Sequence, residues 1–200
     1  MMQHRPLVFL DVETTGMSPD TARVLELGAL RVENGRVVST INQLIHPDCV
    51  VPPEITHITG ITNDQIADMP DFSRVAPQLD QMLEGAVLVA HNVGFDYGFL
   101  NMEYQRLGRQ FDHDHLCTVK LSRALYPYES SHRLDAVIRR GGYRVQDRHR
   151  AYDDAEVLYK FFSDSHDRFG IKLFQHMDQL IKHRRPKHSQ KNDPGLPGII

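Results

Sequence analysis

One stretch constrains this chain more than any other: an apolar run that ends in two acids. Leu7, Val8, Phe9 and Leu10 stand in a row and lead directly into Asp11 and Glu13. The run predicts a strand over residues 6–12. Residues two apart in a strand share a face, so Asp11 and Glu13 project side by side. Two like charges that close repel each other unless a positive group lies between them. A solvated strand end would relieve the repulsion, and so would a bound cation; the rest of the chain has to decide.

The pattern downstream is that of a mixed α/β domain. Apolar runs at 24–32 and 36–45 are separated by Glu33-Asn34-Gly35-Arg36. Asn-Gly between two such runs predicts a hairpin, so the first three strands form an antiparallel meander. A Pro-, Thr- and Gly-rich loop follows, from Cys49 to Pro70. Helical spacing of Phe72, Val75, Leu79 and Leu83 predicts a helix over 72–84, and Ala86–Ala90 reads as a buried central strand. A helix over 95–107 is expected to turn Phe95, Phe99, Met102 and Leu107 inward. Two short helices, a long one over 152–169 and a last one over 171–183 complete the series. Strands first, then helices interleaved with a strand, imply one sheet with helices on its faces.

Two further acids stand where such a fold would gather a site. Asp96 opens a helix just after the buried strand, and Asp154 opens the long helix, with His149 five residues upstream. Each taken alone reads as an ordinary helix-start acid, favoured by the helix dipole. Asp153 is the solvent-facing neighbour, since adjacent residues on a helix do not share a face. Strand ends and the helix starts beside them are where α/β sheets assemble sites, so all four carboxylates can converge. Four uncompensated acids would destabilise the fold, and divalent cations resolve the conflict. An oxygen-rich set without cysteine suits Mg²⁺ or Mn²⁺ rather than zinc. His113, His115 and Cys117 alternate on one short segment and cannot by themselves close a tetrahedral zinc site.

Taken together, "DVETTG", "HNVGFDYGFL" and "HRAYDDA" resemble the three exonuclease motifs of the DEDD superfamily of 3′–5′ exonucleases. The histidine five residues before the last aspartate resembles the DEDDh branch. That branch includes the proofreading epsilon subunit of bacterial DNA polymerase III, RNase T and oligoribonuclease. The resemblance covers roughly residues 6–165. It implies an RNase H-like fold around a five-stranded mixed sheet, and hydrolysis with two Mg²⁺ or Mn²⁺ ions. By the same resemblance, Asp11, Glu13 and Asp154 hold one metal, Asp11 bridges to a second with Asp96, and His149 is the general base. Thr14, Thr15 and Gly16 then lie where the terminal nucleotide binds. Met17 is either a wedge against a base or a buried turn methionine. "PEITHITGIT" resembles the family's substrate loop, with Thr59 in the place of a histidine, which makes Glu54 and Thr59 contact candidates. Asn92 either touches substrate or supports the turn. Cys117 departs from the family pattern, which has an aspartate there in many members.

The resemblance leaves the substrate open. A single-stranded DNA 3′ end is the first expectation, with a DNA polymerase catalytic subunit as candidate partner. An exoribonuclease trimming RNA or short oligonucleotides is the alternative, and a binding module that does not cut is a lesser one. The catalytic residues are shared between DNA and RNA enzymes, so they cannot discriminate. A formal net charge of −3 argues against broad coating of nucleic acid but not against capture of one strand end. Two cysteines make no disulfide framework, and the absence of any bilayer-length apolar run excludes a membrane span, so the cytoplasm is the expected location. The exonuclease domain is expected over 1–183, with a flexible basic, Pro- and Gly-containing tail over 184–200.

Overall fold

The computed structural model describes residues 5–145 and 149–183. The tail expected over 184–200 lies outside the described residues. Strand β1 (Leu7–Thr14) is the centre of a five-stranded sheet of order β3-β2-β1-β4-β5. Strands β2 (Val24–Glu33) and β3 (Arg36–Leu44) form the expected antiparallel hairpin. Its turn puts Asn34 at φ +49° and Gly35 at φ +75°, the two left-handed residues that a two-residue hairpin loop requires. Strands β4 (Val87–Ala90) and β5 (His115–Cys117) run parallel to β1, so the sheet is mixed.

Period-two alternation sorts β1 onto two cores. Val8, Leu10 and Val12 face helices α3 (Phe72–Leu83) and α4 (Gly94–Arg106), packing with Val75, Leu79, Phe99 and Tyr104. Leu7 and Phe9 face α7 (Ala151–Phe169) and α8 (Ile171–Leu180), packing with Phe161, Phe162, Leu173 and Met177. The same alternation turns Asp11 and Glu13 to the α7 side. Short helices α5 (Thr118–Leu125) and α6 (Leu134–Gly141) complete that layer.

Two expectations are corrected. The stretch read as loop contains helices α1 (Pro53–Thr59) and α2 (Asn63–Ile66). Pro53 opens α1, Gly60 closes it at φ +73°, and Thr62 with Gln65 forms a reciprocal capping box on α2. These helices bury Val51, Ile61 and Ile66 against Leu25, a small third core. Leu25 lies between the register pairs Glu13↔Glu26 and Thr14↔Val24, so the bulge there anchors this lobe beside the end of β1. In α4, Met102 is not part of the inward face; Leu100, Glu103 and Tyr104 are buried instead. Glu103 is tolerated there because Arg23 Nε donates to it at 2.8 Å and Arg106 at 3.1 Å. That network ties α4 to the chain entering β2.

Candidate active site

Three segments far apart in sequence meet at the end of β1. Glu13 and Asp11 leave the strand on the α7 side, both half-buried. Asp154 is buried in the first turn of α7. His149 stands just before that helix at φ +62°, and its ring is exposed. One ligand atom each from Glu13, His149 and Asp154 lies within 4.8 Å of the others. Asp96 approaches from α4 and is 2 % exposed. Burial lifts its carboxyl to about 8, against the pull of main-chain hydrogen bonds at Asp96 and Val12. The bond at Val12 places this acid beside β1, between the positions of Asp11 and Glu13. Glu13, His149 and Asp154 are thus brought together, Asp11 shares the strand face of Glu13, and Asp96 reaches the main chain of β1 at Val12.

A glycine sets how close the late helix can come. Gly28 pairs with Asp11 across the β1–β2 ladder, and an added Cβ there would fall 2.1 Å from the Ala151 carbonyl carbon. Only a residue without a side chain lets the first turn of α7 rest on the sheet. Sequence reasoning missed this seat, and it missed Glu26, which is fully buried and bonded to Arg150 and to the main chain of Ala151. A signal was present: an acid between Leu25 and Leu27, in a run otherwise apolar, requires a buried partner.

The expected substrate residues divide. Thr14 is buried and its hydroxyl donates to the Gly16 carbonyl at 2.7 Å, while Thr15 accepts from the Arg23 amide at 2.9 Å. These bonds shape the loop that carries Gly16 and Met17. Met17 is 81 % exposed, so it is not a buried turn methionine. Glu54 lies exposed on α1. Thr59 is buried with its hydroxyl donating to Ile55 at 3.0 Å and accepting from the Ile61 amide, so it caps its own helix end and offers no free face. Asn92 is exposed at φ +60°, its carbonyl accepting from Phe95, one residue before Asp96. His91 is held through Nδ1 by Thr118 at 2.9 Å. A pocket of about 460 Å³ adjoins this turn, lined by His91, Asn92, Arg123, His132 and Arg133 among others.

The mixed sheet of order β3-β2-β1-β4-β5 with helices on both faces is of the RNase H-like class. The exonuclease family model matches residues 8–162, and the chain belongs to that family. The epsilon subunit of DNA polymerase III from Treponema pallidum is 32% identical over 80% of this chain and 76% of its own length. The 3′-5′ exonuclease DinG of Bacillus subtilis is 36% identical over 80% of this chain but 18% of DinG. A PolC-type DNA polymerase III from Pediococcus pentosaceus is 33% identical over 99% of the chain, which spans only 15% of that polymerase. Among solved structures, exonuclease X in complex with 5′ overhanging duplex DNA superposes with a TM-score of 0.70 at 26% identity, over 86% of this chain and 98% of that one. Exonuclease I shares the fold, with a TM-score of 0.77 at 20% identity over 88% of this chain and 43% of that one. Among the described residues, no helix is long and apolar enough to cross a membrane.

Proposed function

We propose that this chain hydrolyses single-stranded DNA from its 3′ end and releases nucleoside 5′-monophosphates, with two Mg²⁺ or Mn²⁺ ions as cofactors. The observation that carries the reading is the convergence of Glu13, His149 and Asp154 within 4.8 Å, with Asp11 on the same strand face and Asp96 buried beside it. The donor set is rich in carboxylate oxygen, and its crowding of like charge fits divalent cations. Held by Asp11, Glu13, Asp96 and Asp154, such ions supply charge stabilisation to the attacking and leaving oxygens of an in-line displacement.

The chain's own residues do the rest. His149, exposed at the start of α7, takes a proton from the attacking water, a general-base task to which an imidazole side chain is suited. Gly16 lets the main chain come close to the terminal nucleotide. Met17, exposed on the same loop, packs against the face of a base. Asn92, exposed before α4, and Glu54, exposed on α1, are further substrate contacts in this reading. The names of the relatives favour DNA over RNA and support association with a polymerase catalytic subunit. Two free cysteines, one of them exposed, support a reducing cytoplasmic location.

The test uses 5′-labelled single-stranded DNA and RNA with Mn²⁺ or with EDTA. Shortening from the 3′ end with Mn²⁺ only, faster on DNA, is the expected result. Asp11→Asn should abolish it, and His149→Ala should slow turnover by about 10²–10⁴-fold. Activity that survives EDTA would overturn the metal assignment, and faster RNA cleavage would exchange the proofreading reading for exoribonuclease.

A further inference from the structure

We infer that Glu26 and Arg150 are positioning residues for this reaction: they hold the start of α7, and with it His149 and Asp154, against the strand that carries Asp11 and Glu13. The inference rests on the exonuclease reading above and extends it to residues outside the metal-binding set.

Glu26 is 0 % exposed, between Leu25 and Leu27 at 0 % each. A carboxylate so buried must find donors, and the distances show where they come from. Arg150 Nε donates to its two oxygens at 3.1 and 3.2 Å, and the Arg150 terminal nitrogen donates at 2.7 Å. The Ala151 amide donates at 2.9 Å. Three contacts come from Arg150, just before α7, and the fourth from Ala151, its first residue. Helix starts leave amides without intrahelical acceptors, and Arg150, the residue at the N-cap of α7, provides no side-chain cap. Glu26 therefore caps α7 from another element and also meets the positive end of its dipole.

Ladder register makes this a device for the site. Glu26 is the direct partner of Glu13, and Gly28 is the direct partner of Asp11. Opposed residues project on the same face. The first turn of α7 is thus seated on the two β2 positions directly across from the two acids. Gly28 sets the distance of approach, and the Glu26–Arg150 pair sets where along the strand the helix begins. His149 is joined to Arg150 by one peptide bond, and the Asp154 amide donates to the Arg150 carbonyl at 3.1 Å. Displacing Arg150 displaces both. Its guanidinium also cancels the Glu26 charge, so that Glu26 does not add to the repulsion among the four acids.

The test compares the full chain with Glu26→Gln and Arg150→Ala. Binding of Mn²⁺ without substrate is followed by the electron paramagnetic resonance of the free ion, and kcat and KM are measured on a DNA oligonucleotide. Both variants should bind Mn²⁺ about tenfold more weakly and lose about 10–100-fold in kcat, the range for groups that orient metal ligands, with KM unchanged. The Arg150 side chain is 36% exposed, so added guanidinium ion should reach the gap in Arg150→Ala and restore part of its kcat, with no such gain in the parent. If both variants melt lower in EDTA yet bind Mn²⁺ and turn over like the parent well below melting, the pair is a structural staple and the inference is wrong. Should Glu26→Gln not fold, Arg150→Ala, altered at a partly exposed side chain, decides the matter alone. A parent chain that neither binds Mn²⁺ nor cuts DNA would instead defeat the exonuclease reading itself.

Discussion

His149, just before α7, and Asn92, just before α4, both hold left-handed backbone, at φ +62° and +60°. Such a conformation costs a non-glycine residue of order 1–3 kcal/mol and persists only where its surroundings dictate it. A second histidine yields a prediction about pH. His132 lies in the pocket beside Asn92, its Nδ1 2.9 Å from the buried Ser122 hydroxyl. Desolvation, then the charges of Arg140 and Arg123, hold its pKa below the ordinary 6.5. The folded chain therefore binds fewer protons at this ring than the unfolded chain does. Its contribution to stability is intact above 6.5 and is lost as pH falls through and below that value. Melting curves from pH 8 to 5 should show less acid destabilisation in His132→Gln than in the parent, and identical pH slopes would refute the assignment. Among single residues, Asp11, Glu13, Asp96, Asp154 and His149 stood out in the sequence because their spacing and flanks carry a pattern, and the structure brings Glu13, His149 and Asp154 together. For Thr59 the motif position says nothing about where the hydroxyl turns; here its own helix end uses it.

Elements whose chemistry is local were the readable ones. The Asn34-Gly35 hairpin, α3 and the buried β4 follow from turn residues and periodicity alone. Helices α1 and α2 did not, because they are seven and four residues long, too short for a periodic signal, although Pro53 and the Thr62/Gln65 box mark their ends. Met102 failed as a core position of α4 because Glu103 took the inward place, bonded to Arg23 from the start of β2. The seat of α7 on β2 makes a sharp element-level prediction. In Gly28→Ala the new methyl would collide with main-chain atoms at 2.1–2.3 Å, and a backbone cannot rotate away as a side chain can. The helix must shift, costing about 1–3 kcal/mol of stability in urea titration. Because His149 and Asp154 ride on that shift, the variant should lose Mn²⁺-dependent cleavage at temperatures where it is still folded. A variant of normal activity would show that the helix start tolerates displacement.

In the whole molecule, the proposed metal ligands join β1 at one end of the chain, α4 in the middle and α7 late. A cation bound to all three acts as a cross-link of the native state alone. Mn²⁺ at a hundredfold above its dissociation constant should add about 2.7 kcal/mol, visible as a melting temperature that rises with Mn²⁺ and returns with EDTA. Asp154→Asn should abolish most of that rise, and an unchanged shift would place the ion elsewhere. The same long-range logic separates what was written in the chain from what was not. By itself the sequence determined the β2–β3 hairpin, the longer helices and the side-by-side acids on β1, and it singled out the five residues proposed to act, because these depend on spacings of two to five residues and on a motif pattern. Only the tertiary structure decided that Gly28 lies under α7, that Glu26 caps a helix 125 positions later, and that Glu13, His149 and Asp154 come within 4.8 Å. Those facts arise from packing and ladder register between distant segments, for which local spacing carries no physical signal.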